Sequence, residues 1–302
     1  MAFGESFGCL DRGDFHFWIK LIFEAVKAGA IEQATRRFAT PGSGLQLWLM
    51  RFIPNELRKN RREHLDYSRE KVMKRIKLKT DRKDFIHYIM KQGEVYDLKQ
   101  DEIIVNAALF IVAGSETTAS SLSSLANNLL RHPDKYEKLK KEIREAFKSE
   151  EEICLEKIME LEYLTACIEE NLRIFPPAPI GFLRSINPGG DTIDGVFVPG
   201  GTSVSVSTWC SHHSPENFKE PDSFIPERWL EDNKEFRDDK RLASRPFSMG
   251  PRGCIGKDLS YMEMRLVLAR MIYSYDLRYP NDDPRTAWEW DPEGEMKNMR
   301  GQ

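Results

Sequence analysis

Phe247-Ser248-Met249-Gly250-Pro251-Arg252-Gly253-Cys254-Ile255-Gly256-Lys257 stands immediately before an apolar stripe of helical spacing. Glycine-rich turns that enter helices commonly bind phosphate. The spacing here excludes that reading: with Gly256-Lys257 closing a Walker loop, the opening glycine would fall at Pro251, and Asp258 follows the lysine. The glycines instead let backbone pass close to a flat object. They also set Cys254 at a helix N-terminus, where unpaired N–H groups and the dipole favour a thiolate. A lone cysteine is ordinarily a small buried hydrophobe, so the meaning of Cys254 comes from the pattern around it. Leu259, Met262, Leu266, Ala269 and Ile272 then form one stripe, which predicts a helix from Ile255 to Tyr275.

Upstream, the chain reads as helices first and short strands later. Helical spacing runs through Phe17 to Val26 and again through Leu65 to Met90. Asp101 to Arg131 contains no proline and reads as one helix, about 45 Å long at 1.5 Å per residue. Its centre, Ala113-Gly114-Ser115-Glu116-Thr117-Thr118-Ala119-Ser120-Ser121, is small and polar where a buried helix should be most apolar. Pro133 starts the next helix, with Tyr136, Leu139, Ile143 and Phe147 on one face. A further helix runs from Ile158 to Ile174 and stops at Phe175-Pro176-Pro177. Gly189-Gly190, Asp194-Gly195 and Pro199-Gly200-Gly201 punctuate short β-type runs, and Thr202 to Trp209 alternates like a strand around Val204 and Val206. Pro221 to Met249 is long and irregular. The expected fold class is mainly α with a small β-sheet region.

Composition narrows the function classes. The 302 residues suggest two domains or one large one, and 40% apolar content with 6 Trp, 9 Tyr and 17 Phe excludes a disordered or low-complexity chain. A net charge of −3 gives no global basic field for nucleic acid. Arg58 to Lys83 is locally basic, with 12 basic against 4 acidic residues. That run reads as a solvated helix face, or as a contact with anionic headgroups or an acidic partner. Cys9, Cys154, Cys167, Cys210 and Cys254 are too few and too spread for a disulfide scaffold. Cys210-Ser211-His212-His213 lacks the paired spacing of a zinc site and reads as a surface turn. The first 20 residues, with Glu5, Asp11, Arg12 and Asp14, do not read as a signal peptide. The longest apolar run, Ile103 to Gly114, falls short of the roughly 18 to 20 residues that span a bilayer.

Phe247, Gly250, Arg252, Cys254 and Gly256 together resemble the haem-binding signature of the heme-thiolate monooxygenases, the cytochrome P-450 superfamily. Three more segments resemble that family in its own order. Ala113-Gly114-Ser115-Glu116-Thr117-Thr118 is similar to the oxygen-binding motif of a long helix, Glu170-Asn171-Leu172-Arg173 to the Glu-x-x-Arg motif, and Phe224-Ile225-Pro226-Glu227-Arg228-Trp229 to the segment whose arginine completes that charge cluster. The style resembles the fungal branch that modifies secondary metabolites.

The resemblance implies a cytochrome P-450 fold, partial in extent. It implies haem b with Cys254 thiolate as axial ligand, a ligation that favours O–O cleavage. Gly250 and Gly256 would clear the porphyrin, Phe247 would pack beside the sulfur, and Arg252 and Arg184 would pair with propionates. Ala113 and Gly114 would open the long helix for dioxygen, and Thr117 with Glu116 would supply protons. Glu170, Arg173 and Arg228 would form a structural charge cluster. Ala107, Phe110, Ile111, Ile180, Gly181 and Phe182 would wall a pocket for a hydrophobic small molecule. Electrons would come from NADPH through a partner reductase, on the cytosolic face of the endoplasmic reticulum. No nucleic-acid partner and no metal beyond haem iron is implied.

As one partial haem domain over 1–302, the chain is expected to divide into a helical region (1–100), the oxygen-binding helix (101–131), helices with Glu-x-x-Arg (132–175), sheet and meander (176–246), ligand loop and helix (247–275) and an atypical tail (276–302). Ala2 to Cys9 resembles a segment well inside such proteins, so an anchor, a first sheet and early helices are expected to be missing, together with a Trp-x-x-x-Arg helix. Two other classes stay open: a truncated or degenerate relative without activity, and a thiolate-haem isomerase or dehydratase.

Overall fold

The computed structural model describes residues 17–36, 38–40, 42–78, 80 and 82–279. The Ala2 to Cys9 segment and the tail beyond Tyr279, including Trp288 to Gln302, lie outside the described residues. The chain divides between Ser115 and Glu116 into two compact units.

The first unit holds α1 (Phe17–Thr35), α2 (Gly44–Leu49), α3 (Asn55–Lys77), α4 (Phe85–Tyr96) and the first half of α5 (Gln100–Arg131). α1 packs on α3. Trp18, Leu21, Ile22, Val72, Ile86, Ile103, Ile104 and Ala107 form the core. Trp18 buries its indole and keeps its N–H satisfied by donating to His64 Nδ1 at 2.7 Å. Asp84 caps α4 by accepting the His87 N–H at 2.9 Å and also takes a buried fork from Arg75. Within the basic run, Arg75 is therefore buried, and Arg61 and Arg69 pair with Glu32 and Asp101.

The second unit holds the rest of α5 with α6 (Pro133–Ala146), α7 (Leu155–Ile158), α8 (Glu162–Ile174), α9 (Thr208–His212) and α10 (Lys257–Ser274). Its core joins Leu125 and Leu129 of α5, Leu139 and Ile143 of α6, Leu164, Ile168 and Leu172 of α8, and Met264, Leu268 and Ile272 of α10. Two antiparallel pairs lie between α8 and α9 in sequence: β1 (Arg184–Ser185) with β4 (Ser203–Val204), and β2 (Asp191–Ile193) with β3 (Val196–Val198). The β2–β3 turn is Asp194-Gly195, both at positive φ, as a two-residue primed hairpin turn requires.

Two boundaries and one buried face depart from the sequence reading. Ile158 to Ile174 is not one helix, because the chain extends at Leu161 and α8 begins at Glu162. The strand expected from Thr202 to Trp209 stops after Val204: the Ser207 hydroxyl accepts the Cys210 N–H and starts α9. On α10 the buried line is Met264, Leu268, Ala269 and Ile272, with Leu259, Met262 and Leu266 half-buried, because α6, α7 and α8 all pack against it. α5 also corrects an expectation: as a whole it is long and apolar enough to cross a membrane by length and composition. Leu125 and Leu129, both fully buried, serve it as core residues of a packed helix.

α6 brackets the helices that carry the site. α8 has no capping side chain of its own, and the Glu142 carboxylate accepts the Tyr163 and Leu164 N–H groups, both at 2.8 Å. Two residues on, the Arg144 guanidinium donates to the Ile272 and Tyr275 carbonyls at the end of α10. Each charge opposes the dipole end it meets. Glu142→Ala is expected to lower stability by about 1–2 kcal/mol, the usual loss for a helix cap, read as a shift in denaturant midpoint. An unchanged midpoint would show that water replaces the carboxylate at no cost.

Candidate functional site

Consecutive residues of α8 point about 100° apart, so Glu169, Glu170 and Asn171 reach three different parts of the second unit. Glu170 is fully buried, and its carboxylate accepts five hydrogen bonds. Two come from Arg173 (2.8 and 2.9 Å), one from Arg228 (3.0 Å), one from the Ile225 N–H (2.9 Å) and one from the Trp229 indole (2.8 Å). Arg173 spends all five N–H groups: two on Glu170 and three on the carbonyls of His212, Pro221 and Ser223. Arg228 also pairs with Asp239 and donates to the Glu220 carbonyl. Both guanidinium groups lie over the buried Phe218 ring. Asp239 brings the formal charge of the buried group to zero, and a surplus cation there would be costly.

These bonds hang the irregular 214–246 segment on α8. The segment runs into the cysteine loop, where the Cys254 N–H donates to the Phe247 carbonyl (2.8 Å) and the Gly253 N–H to that of Gly250 (2.9 Å). Gly250 has φ +70°, so a side chain there would be strained whatever lay beside it. Gly256 is the helix cap of α10, and a Cβ on it would stand 3.9 Å from Cys254 Sγ. Cys254 is an exposed free thiol, flanked by Met249 (68% exposed) and Ile255 (90% exposed). Phe247 packs at 5.1 Å on Tyr261, whose hydroxyl donates to Glu169 at 2.7 Å. Burial pushes the Glu169 carboxyl up. Loop and α8 are thus joined by ring contact as well as by backbone.

Asn171 serves α5. Its amide donates to the Ser121 carbonyl, and its oxygen accepts from Ser124 and Asn128, each at 3.0 Å. One turn before Ser121 stand Glu116 and Thr117, both half-buried. Burial pushes the Glu116 carboxyl up, against the opposing hydrogen bond from Ser120 (3.3 Å).

Ala113 and Gly114 are exposed, and a Cβ on Gly114 would meet nothing within 4 Å. Arg252 is exposed in the turn Gly250–Arg252. Arg184, exposed on β1, donates to the neighbouring Leu183 carbonyl. Ala107 is buried in the first unit's core, whereas Phe110 and Ile111 are half-buried. Ile180 and Phe182 are exposed, and Gly181 is dictated by backbone, since a Cβ there would lie 2.0 Å from the Val206 carbonyl oxygen. Of the other cysteines, Cys167 is buried, Cys154 half-buried and Cys210 exposed; Cys9 lies outside the described residues.

A family model described as cytochrome P450 matches residues 1–297. The chain is 42% identical over 99% of its length to the cytochrome P450 monooxygenase aba2 of Botryotinia fuckeliana, covering 58% of that protein. It is 42% identical over 92% of its length to the cytochrome P450 monooxygenase astA of Talaromyces wortmannii, covering 55% of it, and 40% identical over 96% to atr2 of Stereocaulon alpinum, covering 58%. The chain belongs to the cytochrome P450 family. It spans a little over half the length of these relatives. Haem is the family's prosthetic group, and the residues present fit it. An exposed thiol stands beside exposed apolar side chains, Met249 and Ile255, and Gly250, at positive φ, has open space where a Cβ would be.

Sequence reasoning missed Asp239, Trp229 as a donor, the Tyr261–Glu169 pair and His212. Asp239 carries no local signal, being one acid among many 69 residues from Glu170. His212 was expected on a surface turn; it is fully buried, and the carbonyl of Arg173 and the N–H of Arg245 occupy its two nitrogens. Burial, with Arg173 and His213 nearby, pulls its pKa down to about 4 from an ordinary 6.5. Between those values the unfolded chain binds a proton that the native chain refuses, so stability falls as pH drops from about 6.5 to about 4. The denaturant midpoint should fall through that window in the parent chain and fall less steeply in His212→Gln. Parallel pH profiles would contradict this.

Proposed function

We propose that this chain is the cysteine-ligand portion of a haem-thiolate monooxygenase that oxidises a hydrophobic small molecule, in the manner of fungal secondary metabolism. The observation that carries the reading is the Cys254 loop: an exposed thiol preceding α10, with a positive-φ glycine four residues before it and an aromatic ring, Phe247, seven before it. It is supported by relatives named as monooxygenases at about 40% identity.

In this reading Cys254 Sγ would hold the haem iron from the loop that enters α10. Arg252 and Arg184, both exposed, offer forked donors to the propionates. Gly250 and Gly256 would leave room for the ring, and Phe247 would pack near the sulfur. Bound there, the haem supplies the redox-active iron that activates dioxygen. Glu116, whose carboxyl holds its proton above the usual range, and the Thr117 hydroxyl pass protons toward that side. Ile180 and Phe182, both exposed, offer apolar surface to a greasy substrate. Electrons come from NADPH through a reductase, and the whole protein works at the cytosolic face of the endoplasmic reticulum.

The purified chain loaded with haem, reduced and exposed to carbon monoxide should show the red-shifted Soret band of thiolate ligation. Cys254→Ala should lose that band entirely. A band surviving in Cys254→Ala, or none in the parent chain, would overturn the reading.

A further inference from the structure

The cysteine loop needs a fixed point on its approach, because 214–246 contains only short turns among its described residues and no α-helix or strand. Ser248 N–H donates to the Arg245 carbonyl at 3.0 Å, so Arg245 is where the approach becomes the loop. The Arg245 N–H in turn donates to His212 Nε2 at 2.9 Å. The other ring nitrogen, Nδ1, stands 3.0 Å from the Arg173 carbonyl oxygen, and Arg173 donates back to the His212 carbonyl at 2.9 Å.

The partners dictate one tautomer. A carbonyl oxygen demands a proton on Nδ1, and an N–H demands a bare lone pair on Nε2. The imidazole is fully buried, so water replaces neither bond. A protonated ring would set two N–H groups against each other at Arg245, and its lowered pKa accords with that.

We propose that His212 is a positioning residue for the haem-ligand loop: as the neutral Nδ1–H tautomer it ties the Arg245 backbone, and so the loop that presents Cys254, to the helix carrying Glu170 and Arg173. His212 touches neither the proposed iron ligand nor substrate. The role rests on the haem-thiolate reading for its purpose, while the tie itself is a property of the chain.

The two bonds separate by substitution. In His212→Asn the amide reaches the Nδ1 position and keeps the bond to Arg173. In His212→Gln the amide oxygen reaches the Nε2 position and keeps the bond from Arg245. Backbone hydrogen exchange across 245–254 in the full chain reads the tie without haem. We expect exchange within about twofold of the parent in His212→Gln and about tenfold faster in His212→Asn, the loss of roughly one buried hydrogen bond. On haem loading, His212→Gln keeps the thiolate Soret band with carbon monoxide, and His212→Asn loses a large part of it. Equal exchange in the two variants, or faster exchange in Gln than in Asn, overturns the proposal. A parent chain without the thiolate band overturns the haem reading instead, and the exchange comparison still decides the tie.

Discussion

The buried carboxylate of Glu170 is the constraint on which the second unit depends. A charge with no solvent around it is tolerable only if its lone pairs are filled and its sign is balanced. Both demands are met by Arg173 from its own helix and, from a distant segment, by Arg228, Trp229 and the Ile225 backbone. Satisfying one anion therefore draws 55 or more residues of separation into one place. Arg173 extends the same logic outward, since its three remaining donors order carbonyls of a segment with little secondary structure to order itself.

The economy of α8 lies in its consecutive residues. Glu169 reaches Tyr261 and through it Phe247, Glu170 reaches the meander, and Asn171 reaches α5 beside Glu116 and Thr117. A rotation or shift of this helix would displace the cysteine loop, its approach and the polar centre of α5 together. α6 guards against that by capping the start of α8 and the end of α10 with opposite charges. Stability and site geometry are in this sense the same set of bonds.

Much of this was legible in the sequence, and the part that was not has a common physical cause. Helical periodicity locates α6 and α10 because each buries a stripe against neighbours, and a long run without proline locates α5. Glycine and proline locate the strand turns because φ is local chemistry. The spacing from Phe247 to Gly256 singles out Cys254 through its resemblance to the family's haem-binding signature. Asp239, Trp229 and His212 escape because what they do is decided by partners far away in sequence. His212-His213 looks like a polar turn, and only burial beneath α8 turns one ring into a bridge. Leu161 shows the same limit at a boundary: the apolar spacing continues through it while the backbone does not.

In the proposed haem-thiolate reading, these bonds hold the loop that would present the Cys254 sulfur to iron. X-ray absorption at the iron edge, recorded on the haem-loaded chain, reads that bond itself. Sulfur bonded to iron in the parent, and only nitrogen or oxygen in its place in Cys254→Ser, is the expected result. Iron surrounded by nitrogen and oxygen alone in the parent chain would contradict it.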